Sequence, residues 1–267
     1  MRLTRDQIAS ARSFLFVPGH RPDRFDKAAA SGADVVIVDL EDAVAVDDKD
    51  RARGYVSEWL EQGNASLVRI NPFGTPWFDA DLDTAMRHGC PIMVPKADSV
   101  AALTDLGRRT RGECDVVALV ETATGIERAN EVCATAGIIR LAFGNADFGA
   151  EVGVAPDDHL ALTYARSKLV TASAASKLAP PIDGVTIAIE DTAVLNADIE
   201  HARCLGFTGK LCIHPNQVPV VAAGFAPSES EREWARAVVE AGESVTRVNG
   251  QMIDKPVLER ARRILGT

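Results

Sequence analysis

Eight short apolar runs alternate with helical patterns along this chain, and that alternation limits its possible folds more than any other feature. The runs are residues 14–17 (FLFV), 35–40 (VVIVDL), 67–70 (LVRI), 92–94 (IMV), 116–120 (VVALV), 138–143 (IIRLAF), the apolar part of 180–189 (PPIDGVTIAI) and 210–213 (KLCI). Run 35–40 is rich in β-branched residues and reads as a strand buried on both faces. Helical patterns cover residues 20–30, 47–60, 126–135, 157–178 and 192–205. Another begins at Ser99, and two more, 229–245 and 255–265, finish the chain. No run looks like an antiparallel hairpin. Strand–helix alternation demands right-handed parallel crossovers, and eight of them most simply close into a (β/α)8 TIM barrel, an α/β fold of about 250 residues. An open doubly wound sheet is the alternative, but no run is followed by a GxGxxG turn. The reading is a barrel over residues 1–226 and a C-terminal helical extension, or lid, over 227–267.

Chemistry in such a barrel sits at the C-terminal strand ends. Asp39, Glu41, Asp42, Arg69, Lys96, Glu121, Asp147 and His214 all fall there. Residues 116–148 form a strand–helix–strand unit with Glu121 after one strand and Asp147 after the next. Parallel strands would set the two carboxylates side by side. With no Lys or Arg next to either in sequence, the pair suits a hard divalent cation or acid–base work, although each taken singly could merely cap its turn. Three acids in four positions, Asp39, Glu41 and Asp42, repel one another unless a cation or donors lie nearby. Arg69 is unusual inside a β run and either faces outward or points into the rim.

The formal net charge of −9 argues against nucleic acid and anionic membranes as partners. An anionic ligand therefore needs local cations or a metal. Arg21, Arg24 and Lys27 share a helix face at three-residue spacing, either as a solvated basic face or as a phosphate contact. Five cysteines are scattered singly without C-x-x-C spacing, which fits core filling and a reducing cytoplasm. The first residues, MRLTRDQIASARS, lack the apolar segment of a signal peptide. No run approaches the ~18 residues of a spanning helix.

The chain resembles the citrate lyase β subunit and its stand-alone relatives, in the HpcH/HpaI aldolase superfamily. The likeness rests on FLFVPGHRPDRFDKA (14–28), VVIVDLEDAV (35–44), VRIN (68–71), VPKA (94–97), ALVETATGI (118–126), FGNADF (143–148), CIHPNQV (212–218) and GQMIDKPVLERA (250–261). The resemblance implies a TIM barrel with Mg2+ held by Glu121 and Asp147, and with Arg69 gripping the substrate carboxylate. It implies Asp254 as the acid group of a C-terminal segment reaching over a neighbouring subunit. That makes the protein a homo-oligomer, a trimer or a multiple of three. It implies Lys27, and more loosely Arg24, as contacts for a CoA tail. Phe16 stands where relatives place an aromatic near the thioester, here without a hydroxyl, and Pro95 of VPKA is counted with the substrate contacts.

The reaction so implied is reversible carbon–carbon cleavage of a 3-hydroxyacyl-CoA thioester, such as malyl-CoA or citramalyl-CoA, to acetyl-CoA and a 2-keto acid. Mg2+ would polarise the hydroxyl and carboxylate. Arg69 would supply a two-pronged grip that lysine cannot copy. Asp254 would protonate the enolate, desolvated by Met252, Ile253 and Pro256, and would also cap the helix from Lys255. Asp39, Glu41 and Asp42 would bind metal waters or Arg69. His214 and His20 read as packed residues before bases. Lys96 has no need to form a Schiff base where a metal carries the charge. Other readings are a citrate lyase β subunit working on a carrier-protein thioester, a metal-dependent aldolase on free keto acids, and a non-catalytic binding protein.

Overall fold

A computed structural model describes residues 2–242, 246–248 and 251–266. The chain divides into two compact units, 1–225 and 226–267.

In the first unit eight parallel strands close into a barrel in sequence order. They are β1 (Ser13–Pro18), β2 (Val35–Asp39), β3 (Leu67–Arg69), β4 (Ile92–Val94), β5 (Val116–Val120), β6 (Ile138–Phe143), β7 (Ile182–Asp183) and β8 (Gly209–Cys212). Closure is the pairing of β1 with β8, where Ser13 lies opposite Lys210. Alternation along each strand feeds two cores, as period-two geometry requires. Val35 and Ile37 of β2 point into the barrel with Phe14, Leu67, Met93, Val117, Leu119, Ile182 and Leu211. Val36 and Val38 point outward, under the helices, with Val68, Ile92, Val94 and Ala118.

The N-terminal helix Arg5–Ser10, started by a Thr4–Gln7 capping box, places Ile8 in the inner core. Near it the fully buried Arg140 of β6 donates to the carbonyls of Ile8, Ala11 and Pro180 and to the Thr208 hydroxyl, at 2.7–2.8 Å. Burial pulls its pKa down to about 9, with Asp34 pushing the other way, while these oxygens give its N–H groups partners. The shortest strand, β7, meets β6 through one residue pair, Ala142 and Ile182. Behind it a buried ion cluster braces the wall. Asp183 accepts from Lys210 Nζ (2.8 Å) and Arg166 Nε (2.9 Å). Asp183 is fully buried; desolvation alone would raise its pKa, and the two cations outweigh this and hold it below the usual range.

Several boundaries differ from the sequence reading. Residues 20–30 form a 3-10 turn, Pro22–Arg24, and a short helix, Phe25–Ala29, because Pro22 fits only a first turn. Residues 126–135 are two short helices, Ala123–Glu127 and Ala129–Cys133.

The second unit holds the helix Glu229–Ala241, then β9 (Thr246–Val248) and β10 (Gln251–Ile253) paired antiparallel, then the helix Lys255–Leu265. Residues 243–245, which the expected 229–245 helix included, lie outside the described residues, as do 249–250. None of the eight apolar runs forms an antiparallel hairpin, as expected; this hairpin lies outside them. Its signal was Asn249-Gly250, the residue pair favoured in two-residue hairpin turns. Ala235, Val238, Ile253, Leu258 and Ala261 form this unit's core.

Candidate active site

The C-terminal strand ends of the barrel enclose a cavity of about 420 Å³ lined by Phe16, Asp39, Asp42, Arg69, Glu121 and Asp147, with apolar Leu119, Phe143, Val185 and Leu211 among its walls. Alternation explains the placement. Arg69 is the last residue of β3 and Asp39 the last of β2, and the two are register partners. Their side chains meet as a fork. Arg69 Nε donates to Asp39 Oδ1 (2.7 Å) and Nη2 to Oδ2 (2.6 Å). Arg69 Nη1 lies 3.0 Å from Glu41 Oε2 and 3.7 Å from Asp42 Oδ2. Burial opposes the guanidinium charge, and Asp39, with Glu41 and Asp42, more than offsets it, so Arg69 is held above its ordinary value. The guanidinium also stacks on Phe16, 4.8 Å from the ring centre. Asp39 at the end of β2 and Glu41 and Asp42 just after it thus have Arg69 as their shared cation, each of its three nitrogens lying within 3.0 Å of a carboxylate oxygen.

Glu121 follows β5 and is buried. Its Oε1 accepts the Lys96 backbone N–H at 2.9 Å, and Oε2 accepts no hydrogen bond among the described residues. Burial pushes its carboxyl up to about 8, with repulsion from Glu41 and Asp147 adding to the effect. Such a group favours a proton or a cation. Asp147 lies in the first turn of the helix Asn145–Val152, half-exposed. Gly144 makes the approach possible: a Cβ there would sit 2.4 Å from Glu121 Cβ. Two carboxylates, one buried and short of partners, with open cavity beside them fit an oxygen-seeking cation such as Mg2+, which keeps waters and substrate in its shell. Among the described residues no group of three or more His, Cys, Asp or Glu forms a protein cage.

Lys96 is the residue the sequence undersold. The carboxylates have no basic neighbour in sequence, yet Lys96 Nζ donates to Glu41 Oε1 at 3.1 Å and lies 3.8 Å from Asp147 Oδ2. Burial of Glu41 raises its carboxyl, and Arg69 and Lys96 pull the other way. A second set also went unread. Buried Lys49 donates to the carbonyls of Leu40 and Glu41 and to Asn71 Oδ1, at 2.7–2.8 Å. Asn71 donates to Asp81 Oδ2 (2.6 Å). This network fixes the 39–42 loop under Arg69. Lys49 sits in the first turn of the helix Lys49–Glu61, and only its burial gives it away.

Other expected residues are elsewhere. Pro95 is buried and does not line the cavity. Arg24 and Lys27 are exposed and outside the cavity lining, and Arg21 pairs with Asp23 (2.7 Å). His214 lies outside the lining, its Nδ1 accepting from Asn216 N (3.2 Å). Cys204 is exposed, so only four of the five cysteines are core fillers. In the second unit Asp254 is exposed and caps the helix Lys255–Leu265, accepting from Val257 N at 3.2 Å. Ile253 is buried in the small core and Pro256 is exposed, so neither covers the carboxylate within the unit.

Residues 12–215 match the HpcH/HpaI aldolase/citrate lyase family. A citrate lyase subunit beta-like protein of Mycobacterium tuberculosis is 38% identical over 268 residues, spanning 96% of this chain and 95% of its own. A (3S)-malyl-CoA thioesterase of Cereibacter sphaeroides is 33% identical over 267 residues, 95% of this chain and 93% of its own. Among solved structures, the CitE protein of Mycobacterium tuberculosis in complex with magnesium, acetoacetate and coenzyme A superposes with a TM-score of 0.83 at 35% identity, covering 97% of this chain and 98% of that one.

Proposed function

This chain belongs to the HpcH/HpaI aldolase/citrate lyase family, a family of Mg2+-dependent lyases and aldolases, and from that premise we propose that it cleaves a carbon–carbon bond in a 3-hydroxyacyl-CoA thioester of the malyl or citramalyl type. The products are acetyl-CoA and a 2-keto acid. The observation that carries the reading is Glu121, buried and with one oxygen unpartnered, beside Asp147 and a locked Arg69 in one cavity.

Glu121 and Asp147 would hold Mg2+, which supplies charge stabilisation for the substrate hydroxyl and its neighbouring carboxylate. Arg69 would bind that carboxylate with the N–H groups of Nη1 and Nη2 that its pairs with Asp39 and Glu41 leave over. Asp39, Glu41 and Asp42 keep Arg69 from turning, and the Lys49–Asn71–Asp81 network keeps those acids in place. Phe16 walls the cavity beside Arg69 and excludes water. The bond broken joins the hydroxyl-bearing carbon to the carbon next to the thioester. The hydroxyl would pass its proton to solvent and become the keto group as the electron pair of that bond passes to the thioester enolate, and an acid would return one proton to carbon. Asp254 is that acid, supplied by the C-terminal unit of a second copy in a homo-oligomer built on threes. A second copy would also desolvate Asp254, which its own unit leaves exposed. Arg24 and Lys27 carry the charge that would meet the phosphates of a CoA tail.

The test is turnover by purified protein with Mg2+ and malyl-CoA, citramalyl-CoA and citryl-CoA. Acetyl-CoA and a keto acid from one of them supports the reading. Free CoA with an intact hydroxy acid would make the protein a thioesterase. No turnover of any CoA ester would move the substrate to a carrier protein.

A further inference from the structure

Lys96 follows β4 with φ of +48°, in the left-handed region that side chains with a Cβ avoid. Arg111 and Lys177 also have positive φ, but each stands just past a helix end, where that conformation is common. Lys96 has no helix before it, and the unusual backbone does two things. It points the Lys96 N–H at Glu121 Oε1 (2.9 Å), and it sends the side chain over the rim to Glu41 (3.1 Å) and Asp147 (3.8 Å). One residue therefore touches both carboxylates assigned to the metal. Strain kept at a functional rim is a pointer to a role there.

We propose that Lys96 is a positioning residue whose ammonium weakens and so sets the affinity of the Glu121–Asp147 site for its divalent cation. The inference rests on the functional reading above. Five carboxylates converge here, Asp39, Glu41, Asp42, Glu121 and Asp147. Among the described residues, Asp39, Glu41, Asp42 and Asp147 form ion pairs with Arg69 and Lys96, and Glu121 accepts the Lys96 backbone N–H. Arg69 is committed to the three acids after β2. The Lys96 ammonium is the one beside Asp147, so a cation arriving at Asp147 meets a like charge a few ångströms away. With water-like screening, repulsion between a divalent cation and an ammonium is worth about thirtyfold in affinity at about 4 Å and about tenfold once the ammonium has swung out to about 6 Å. The Lys96 side chain is 42% exposed, so the ammonium can withdraw as the metal enters, and the two positive charges need not be buried together. Lys96 thus keeps the acidic rim intact while the metal is absent, at the expense of metal affinity.

The test is Mn2+ binding followed by electron paramagnetic resonance with pyruvate present, Mg2+ being measured by competition. Wild type, Lys96→Met, Lys96→Gln, Lys96→Arg and Glu121→Gln are compared. Lys96→Met and Lys96→Gln should each bind metal about tenfold more tightly, and Lys96→Arg, which restores the charge, should return to within about twofold of wild type. A residue that merely held the rim together would give the opposite result, weaker binding in both neutral variants. That result, or unchanged affinity in either folded neutral variant, overturns the proposal while leaving the metal site standing. Equal binding by wild type and Glu121→Gln would instead remove the metal from Glu121, and the functional reading would fall with the proposal.

Discussion

At the scale of single residues, Glu121 and Arg69 have separable duties. Glu121→Gln keeps size and loses charge, so metal binding should disappear and turnover drop about 10³-fold with the fold intact; calorimetry with Mg2+ and an activity assay check both. Arg69→Lys keeps charge and loses the fork to Asp39, so kcat/KM should fall about 10²-fold through misplacement alone. Proton linkage gives a third expectation. In the metal-free chain burial pushes the Glu121 carboxyl up to about 8, far above its ordinary 4.5. A metal needs the carboxylate, so protons compete below 8, and apparent Mg2+ affinity should weaken about tenfold per pH unit from 8 down to 6. An affinity flat across that range would mean that the Glu121 carboxyl is already ionised at pH 6 and is not raised to about 8. The same shift means that, in the metal-free chain, this group's contribution to stability falls as pH rises from 4.5 towards 8. Glu121, Asp147 and Arg69 were legible because strand-end position follows from alternation. Lys96 was placed at the same rim, but its contacts with Glu41 and Asp147 were not legible, because they come with the left-handed turn after β4, and no sequence period encodes that.

Among the elements, the wall at β7 and β8 depends on charge as much as on pairing. Two residues of β7 cannot hold many ladder bonds, and Asp183 joins the wall to Lys210 and Arg166 behind it. Asp183→Asn would leave two cations buried and short of a counter-ion, a loss of about 3–5 kcal/mol. A fall of roughly 10 °C in Tm is expected by calorimetry. Because the folded carboxyl is held low, the stability it gives is present above its unfolded value of about 3.9 and is lost as pH falls through the folded value. Most strands were readable as apolar runs. β7 was the hardest to bound, since only Ile182 and Asp183 of the 180–189 stretch pair as strand. The hairpin β9–β10 was missed because its strands have three residues each and little apolar alternation, which left Asn249-Gly250 as the lone signal.

For the whole molecule, the functional reading predicts that one chain alone does not complete a site. Asp254→Asn retains a helix-capping side chain, so it should fold normally and bind Mg2+ while losing turnover. If Asp254 serves another copy, inactive Asp254→Asn and inactive Glu121→Gln chains, unfolded together and reassembled, should regain part of the wild-type rate, because mixed oligomers contain some intact sites. No recovery would place the acid within one chain or outside Asp254 altogether. The ring itself has a consequence in time. Ser13 of β1 pairs with Lys210 of β8, and Arg140 gathers carbonyls from residues 8, 11 and 180 together with the Thr208 hydroxyl. On a ribosome the first strand must therefore wait for roughly 200 further residues, about 10–40 s at ordinary synthesis rates. Through that interval β1 is an open template for any other extended chain, so the nascent barrel should lean on chaperones most just before its last strand emerges.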